Sequence, residues 1–149
     1  FLKKIINFDD NEGLTSALIN KPFPKIKLQS LQGNSEIHDY IGKDILIINY
    51  FASWCVPCRI EHKVLKTFEN KFTIIGVAYK DERKNIIDFL KELGNPYKKI
   101  LLDRDGTKAI EWGAFGVPET FLVFENKIVK KFIGPLNFKS IEEIEEIIK

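Results

Sequence analysis

The sequence predicts an α/β fold in which helices flank a central mixed sheet. Three observations lead there. Asp44 to Phe51 is a nearly continuous apolar run bounded by Gly42, as in a strand buried on both faces. A helical pattern from about Val56 to Asn70 follows it, and then a second apolar run, Thr73 to Tyr79. Strand, helix and strand within roughly 35 residues form a βαβ unit with parallel strands and a right-handed crossover. The C-terminal part reads as a hairpin and a closing helix, so the sheet should be mixed.

Taken in order, Phe1 to Pro24 shows no clean period. Leu14, Leu18 and Ile19 are placed on a short helix that Thr15 or Ser16 opens and that Pro22 and Pro24 end. Residues 1–24 are read as an arm or linker, and 25–149 as the domain. Ile26-Lys27-Leu28 alternates, Gln32-Gly33-Asn34 reads as a turn, and Glu36-Ile37-His38 returns, giving an N-terminal hairpin. His38 is read as a polar surface residue. On the helix from Val56, Ile60, Val64, Leu65 and Phe68 form the inward stripe, while Arg59, Lys63, Lys66 and Glu69 face out.

A second helix is expected from Arg83 to Leu93, with Ile86, Phe89, Leu90 and Leu93 inward and Gly94 and Pro96 as its stop. Lys99 to Leu102 is a short strand, and Asp103-Arg104-Asp105-Gly106 a turn. A calcium loop in that register would put Leu101 and Trp112 where carboxylates belong, so calcium is rejected. Thr107 to Trp112 is a short helix. Phe121 to Phe124 and Lys127 to Ile133 form a hairpin over Glu125-Asn126, where Asn126 can take a positive φ. Gly134-Pro135 ends it. Ser140 and Glu143 are read as the capping box of the last helix, with Ile141, Ile144, Ile147 and Ile148 as its core face.

Composition narrows the function classes. At 149 residues the chain is one domain, long enough to bury a substantial core. A net charge of +2 is too balanced for a nucleic-acid binder. No run is long and apolar enough to span a membrane. There is no Met, not even at position 1, so a processed chain is expected, with a signal or anchor removed upstream of Phe1 left open. No feature demands more than a monomer.

The chemistry centres on the only two cysteines, Cys55 and Cys58, spaced Cys-x-x-Cys. They fall between the first strand and its helix, which puts Cys55 at a helix N-terminus. Unpaired backbone N–H groups and the positive end of the macrodipole favour a thiolate there. The thiolate is the attacking species in disulfide exchange. Cys58, one turn on and facing inward, is placed to attack the mixed disulfide and release the reduced substrate. Pro57 fits the first turn, and Trp54 flanks the exposed sulfur as an apolar surface. Three blander readings compete. A structural disulfide over two intervening residues would restrict the unfolded chain little. Structural zinc wants four ligands, which would require His62 and a distant His38. The third is an idle pair of thiols.

Three patches resemble one family. Trp54-Cys-Val-Pro-Cys-Arg-Ile-Glu-His62 is similar to the active site of the CcmG/DsbE group, thioredoxin-like proteins of cytochrome c maturation. Gly113-Ala-Phe-Gly-Val-Pro-Glu-Thr-Phe121 resembles that group's second fingerprint, with Ala114 in place of the common Val. Gly76-Val-Ala-Tyr-Lys-Asp81 and Leu93-Gly-Asn-Pro-Tyr97 also look like it. The resemblance covers roughly Pro22 to Lys149.

The resemblance implies a thioredoxin-like fold with an added N-terminal hairpin and a central insertion. It implies a reductant of the haem-attachment Cys-x-x-Cys-His disulfide of apocytochrome c, without cofactor or metal. The implied electron donor is a membrane thiol carrier of the CcdA/DsbD kind. The implied place is the periplasmic face of the bacterial inner membrane, by way of an N-terminal anchor. Broader extracytoplasmic exchange, a DsbA-like oxidase, and a non-catalytic apocytochrome-binding module stay open as alternatives.

It also implies roles for individual residues. Cys55 is the nucleophile and Cys58 the resolving thiol. Pro118 corresponds to the cis-proline facing the active site, with the Val117 backbone and Trp54 as substrate contacts. Glu61 and Glu119 resemble the family's active-site acids. Carboxylates near the sulfurs raise thiol pKa by like-charge repulsion and can relay the proton of Cys58. The Cys55 pKa is therefore expected below the ordinary value of about 8.5, but less depressed than the value of about 3.5 in DsbA. Thioredoxin has a buried aspartate six residues before its first active cysteine, where this chain has Asn49. An amide cannot accept the proton, so that duty passes to Glu61 or Glu119.

Overall fold

The first strand of the βαβ unit alternates in what it buries, and this alternation places the site. Ile47 and Phe51 pack on one face of the sheet with Leu65, Phe68, Ile86 and Phe89. Leu46, Ile48 and Tyr50 pack on the other with Phe23, Trp112 and Phe121. Successive side chains of a strand point to opposite faces, so Asn49 shares the Ile47–Phe51 face and looks toward the helix that carries the cysteines.

The structure is a computed structural model that describes residues 19–25, 27–31, 33–36 and 44–149. Its elements are β1 (Lys27–Ser30), β2 (Gly33–Glu36), β3 (Leu46–Phe51), α1 (Val56–Phe68), β4 (Thr73–Tyr79), α2 (Arg83–Leu93), β5 (Lys99–Asp103), α3 (Thr107–Glu111), β6 (Glu119–Phe124), β7 (Lys127–Ile133) and α4 (Phe138–Ile147). The sheet has seven strands in the order β2-β1-β5-β4-β3-β6-β7. β3, β4 and β5 run parallel. β6 joins β3 antiparallel, and β7 joins β6 antiparallel. At the other edge the β1–β2 hairpin adds to β5, also antiparallel. The sheet is thus mixed, with β3 in its interior between β4 and β6. No helix among the described residues is long and apolar enough to cross a membrane.

The β6–β7 turn has Glu125 at φ 50° and Asn126 at φ 63°, the two left-handed positions of a tight hairpin turn. α2 stops at Gly94, whose φ of 90° a side chain would resist and whose N–H closes on Leu90 O at 2.8 Å.

Five expectations need correction. Ile60 is 65% exposed, not part of the inward stripe of α1; buried Glu61 and His62 take its place beside Cys58, Leu65 and Phe68. α1 also ends at Phe68 rather than Asn70. α4 opens three residues early, because Asn137 is its cap: Asn137 Oδ1 accepts from Ser140 N, and Ser140 Oγ accepts from Asn137 N, each at 3.1 Å. Of its isoleucines only Ile144 is buried, while Ile147 and Ile148, in the last turn at the end of the chain, are exposed. Ile19 does not sit on a helix but bridges Ile128 of β7. The helix around Leu14 to Leu18 and the reading of His38 lie outside the described residues.

Residues 19–24 lie along the β7 edge. Pro22 bridges Lys127, and the buried Phe23 ring meets Trp112 at 5.3 Å.

Candidate active site

β3 ends at Phe51, and Ala52-Ser53-Trp54 turns the chain into α1. Cys55 is the N-cap of α1, with Pro57 in the first turn. Cys55 and Cys58 are joined in a disulfide. Cys58 N donates to Cys55 Sγ at 3.2 Å, so the sulfur occupies the place of a capping oxygen. When the bond is reduced, the same N–H and the helix dipole stabilise negative charge on Cys55.

Both cysteines are largely buried, Cys55 at 5% and Cys58 at 1% exposed. Cys55 packs in one cluster with Ala52, Leu136 and Val117. What stands exposed around it is apolar, namely Trp54 at 58%, Val56 at 66% and Ile60 at 65%. Val56 and Ile60 are four apart on α1 and share a face.

The turn before Cys55 is clamped from β4. Asp81 Oδ2 accepts from Ser53 N at 2.6 Å, and Asp81 Oδ1 from Ser53 Oγ at 2.8 Å. Trp54 Nε1 donates to Lys80 O at 3.0 Å, which fixes the exposed indole. Arg59, the nearest cation in sequence, pairs with Glu92 at 2.9 Å and sits over the Phe89 ring.

Behind the cysteines lies Glu61, one turn from Cys58 on the same face and fully buried. Its Oε1 accepts from Asn49 Nδ2 at 2.8 Å and its Oε2 from Leu136 N at 3.0 Å. Asn49 in turn holds Thr120 Oγ1 at 3.0 Å and accepts from the Tyr97 hydroxyl at 2.9 Å. Burial drives the Glu61 carboxyl up, the two donors hold it back, and the balance leaves it at about 7. A buried carboxyl supplied by α1 thus stands beside Asn49 and accepts from its amide.

Glu119 begins β6, directly opposite Tyr50 at the end of β3. It is buried, accepts from Phe115 N at 3.0 Å, and lies 3.5 Å from the Lys131 ammonium. Burial raises its carboxyl and Lys131 opposes the rise; burial likewise lowers the Lys131 ammonium. The preceding Val117–Pro118 peptide bond is cis, and Pro118 O accepts from Gly134 N at 3.0 Å. Val117 packs against the cluster that holds Cys55 and Cys58. β3 and the start of β6 thus bring Cys55, Cys58, Val117 and Pro118 to one end of the sheet, with Glu61 behind them; Glu119, opposite Tyr50, turns to the other face, toward Lys131.

Three contributors were not singled out in the sequence. Lys131 stood only inside the Lys127–Ile133 strand. Asp81 and Tyr97 stood only inside patches quoted for their resemblance. Tyr97 had one usable signal: it follows a helix-stopping Gly94-Asn95-Pro96, so the chain must turn back into the domain there.

The redoxin family model matches residues 18–148. Over 141 residues the chain is 42% identical to the thiol:disulfide interchange protein DsbE of Escherichia coli K12, covering 91% of this chain and 76% of that protein. The chain belongs to this DsbE branch of the redoxins. A second relative is the thiol:disulfide interchange protein CycY of Rhizobium leguminosarum, 44% identical over 102 residues, 66% of this chain and 55% of that one. The fold agrees with the thioredoxin domain of a thiol-disulfide oxidoreductase from Bacteroides vulgatus, at a TM-score of 0.74 and 23% identity over 88% of this chain and 98% of that one. A DsbF homologue from Corynebacterium diphtheriae superposes at a TM-score of 0.73 with 24% identity, over 85% of each chain. The fold is thioredoxin-like. As a member of the DsbE branch carrying a Cys-x-x-Cys disulfide, the protein is a thiol-disulfide oxidoreductase that acts on protein thiols.

Proposed function

We propose that the protein is a reductant in cytochrome c maturation, acting on the haem-attachment Cys-x-x-Cys-His disulfide of apocytochrome c. In this reading the Cys55 thiolate attacks one substrate sulfur, and the other substrate sulfur leaves as a thiolate. Cys58 gives its proton to Glu61 and attacks Cys55 Sγ. The substrate sulfur that Cys55 had captured departs as a thiolate, and Cys55–Cys58 becomes a disulfide. Two electrons pass from the cysteine pair to the substrate. A membrane thiol carrier of the CcdA/DsbD kind would restore the dithiol at the periplasmic face of the inner membrane, where an N-terminal anchor would hold the chain. Residues 25–149 would form the working unit, with Trp54, Val117 and Pro118 meeting the substrate.

One observation carries the direction of electron flow. Glu61 is a buried carboxyl, at about 7, one turn behind the resolving cysteine. A strong oxidant owes its potential to a stabilised reduced form. Here the cation nearest in sequence is paired with Glu92, and a buried acid stands one turn behind Cys58. The acid opposes part of the stabilisation that the helix N-terminus gives the thiolate, which leaves the dithiol a better electron donor.

The test uses Cys58→Ser, which halts exchange at the mixed disulfide. Mixed with an oxidised Cys-x-x-Cys-His peptide, the variant is expected to be trapped through Cys55 far faster than with a disulfide peptide of unrelated sequence. Equal trapping of both would make it a general exchange protein; no trapping would make it a binder.

A further inference from the structure

We propose that Tyr97 is a positioning residue for Glu61: its hydroxyl fixes the Asn49 amide with the N–H side turned toward that carboxyl. The proposal rests on the reading of Glu61 as the group that takes the Cys58 proton.

A side-chain amide has two unlike ends, an oxygen that accepts and a nitrogen that donates. Which end faces Glu61 decides what the carboxyl meets. The Tyr97 O–H donates to Asn49 Oδ1 at 2.9 Å, so Nδ2 faces Glu61 Oε1 at 2.8 Å and Thr120 Oγ1 at 3.0 Å. With the amide turned over, the carbonyl would face the carboxylate and the phenolic proton would lose its acceptor. All of these groups are buried, and unmatched polar atoms in such a place are costly. Both ends of the amide therefore favour one orientation, and Tyr97 supplies the donor that selects it.

Tyr97 is itself held still. Its ring stacks on Phe51 at 4.9 Å and 17°, and meets the edge of His62 at 5.9 Å. Gly76 of β4 makes the room: a Cβ there would stand 2.9 Å from Tyr97 Cδ1. The loop is pinned on either side of the ring. Gly94 O accepts from His62 Nε2 at 2.7 Å, Asn95 Oδ1 accepts from Tyr97 N at 2.9 Å, and Lys98 N donates to Ile74 O at 2.7 Å. α1 and β4 thus both fix the residue that orients the amide.

The titratable groups around Glu61 are Cys58 and His62 on its own helix and Tyr97 from the loop before β5. β6 presents the Thr120 hydroxyl, and the segment before α4 the Leu136 N–H. His62 is held neutral by burial and Tyr97 is pushed up by burial and by Glu61. Removing the Tyr97 hydroxyl frees the amide to turn, weakens the ionised form of Glu61 and raises its titration.

The experiment is a carbon-13 carboxyl NMR titration of Glu61 in the wild type, Tyr97→Phe, Asn49→Ala and the double variant. It is paired with the pH profile of mixed-disulfide resolution. Tyr97→Phe keeps the ring and its stacking, and is expected to move the Glu61 midpoint up by on the order of one unit. In the Asn49→Ala background the same change is expected to add nothing. An unmoved midpoint, or an equal shift without the amide, overturns the proposal. If the midpoint moves but the resolution profile does not follow, the positioning stands and the proton role of Glu61 falls.

Discussion

Lys131 Nζ lies 3.5 Å from Glu119 Oε2, and the two side chains are only 3% and 4% exposed. The same lysine donates to Gly113 O and sits over the Phe115 ring at 5.1 Å. It therefore ties the loop before Pro118 to the acid after it. Ion pairs such as Arg59–Glu92 and Lys71–Glu145 are well exposed and contribute about 1 kcal/mol or less each.

Lys131→Met should therefore cost more than any surface pair. It leaves the Glu119 carboxylate buried with a single backbone donor, a loss of about 3 kcal/mol. The sign with pH follows from the direction of the shift. The Glu119 carboxyl already lies above its ordinary value, and removing the cation lifts it further. The destabilisation should grow as pH rises and shrink in acid, where the carboxyl is neutral. Urea midpoints at about pH 5 and about pH 8 measure this. An equal loss at both would mean that the pair is not what the lysine serves.

Glu61 gives the second pH dependence. Its folded value of about 7 lies above the ordinary 4.5. The stability it contributes is full below about 4.5 and is lost as pH rises through about 7, a change of about 3 kcal/mol. In Glu61→Gln the drop in unfolding free energy between those limits should shrink by that order. Denaturation across the range checks it, and a wild-type curve that rises over the same span would reverse the assignment.

Ile60→Lys should separate folding from partner capture. The side chain is 65% exposed, one turn along α1 from the exposed Val56. Stability should change by no more than about 0.5 kcal/mol. Trapping of a substrate peptide by the Cys58→Ser form should slow several-fold. Unchanged trapping would show that the Val56–Ile60 face does not meet substrate.

The misreading of Ile60 shows where the sequence stops being legible. An apolar residue on an amphipathic helix is assigned to the core by default, and Val64, Leu65 and Phe68 obey that rule. Ile60 does not, because the helix face turned to the sheet is occupied by Glu61 and His62. Those two are buried for hydrogen bonds that only the fold reveals, to Asn49 and to Gly94. Local signals fared better where one residue settles the geometry. Gly94 ended α2, and the Glu125-Asn126 pair closed the β6–β7 hairpin, because backbone conformation is decided locally there. At α4, Asn137 and Ser140 are both good caps. The choice between them depended on which could complete the reciprocal bond, and Ser140 supplied its second half. Lys131 and Tyr97 were illegible for a related reason: their partners are far away in sequence.

The central claim is that the Cys55–Cys58 pair gives electrons away. Its reduction potential, measured by equilibration with glutathione, tests this most directly. The reference points are about −270 mV for thioredoxin and about −120 mV for DsbA. A value well to the reducing side of DsbA is expected. A value at or above the DsbA level would make the protein an oxidant and contradict the role proposed for Glu61 behind Cys58.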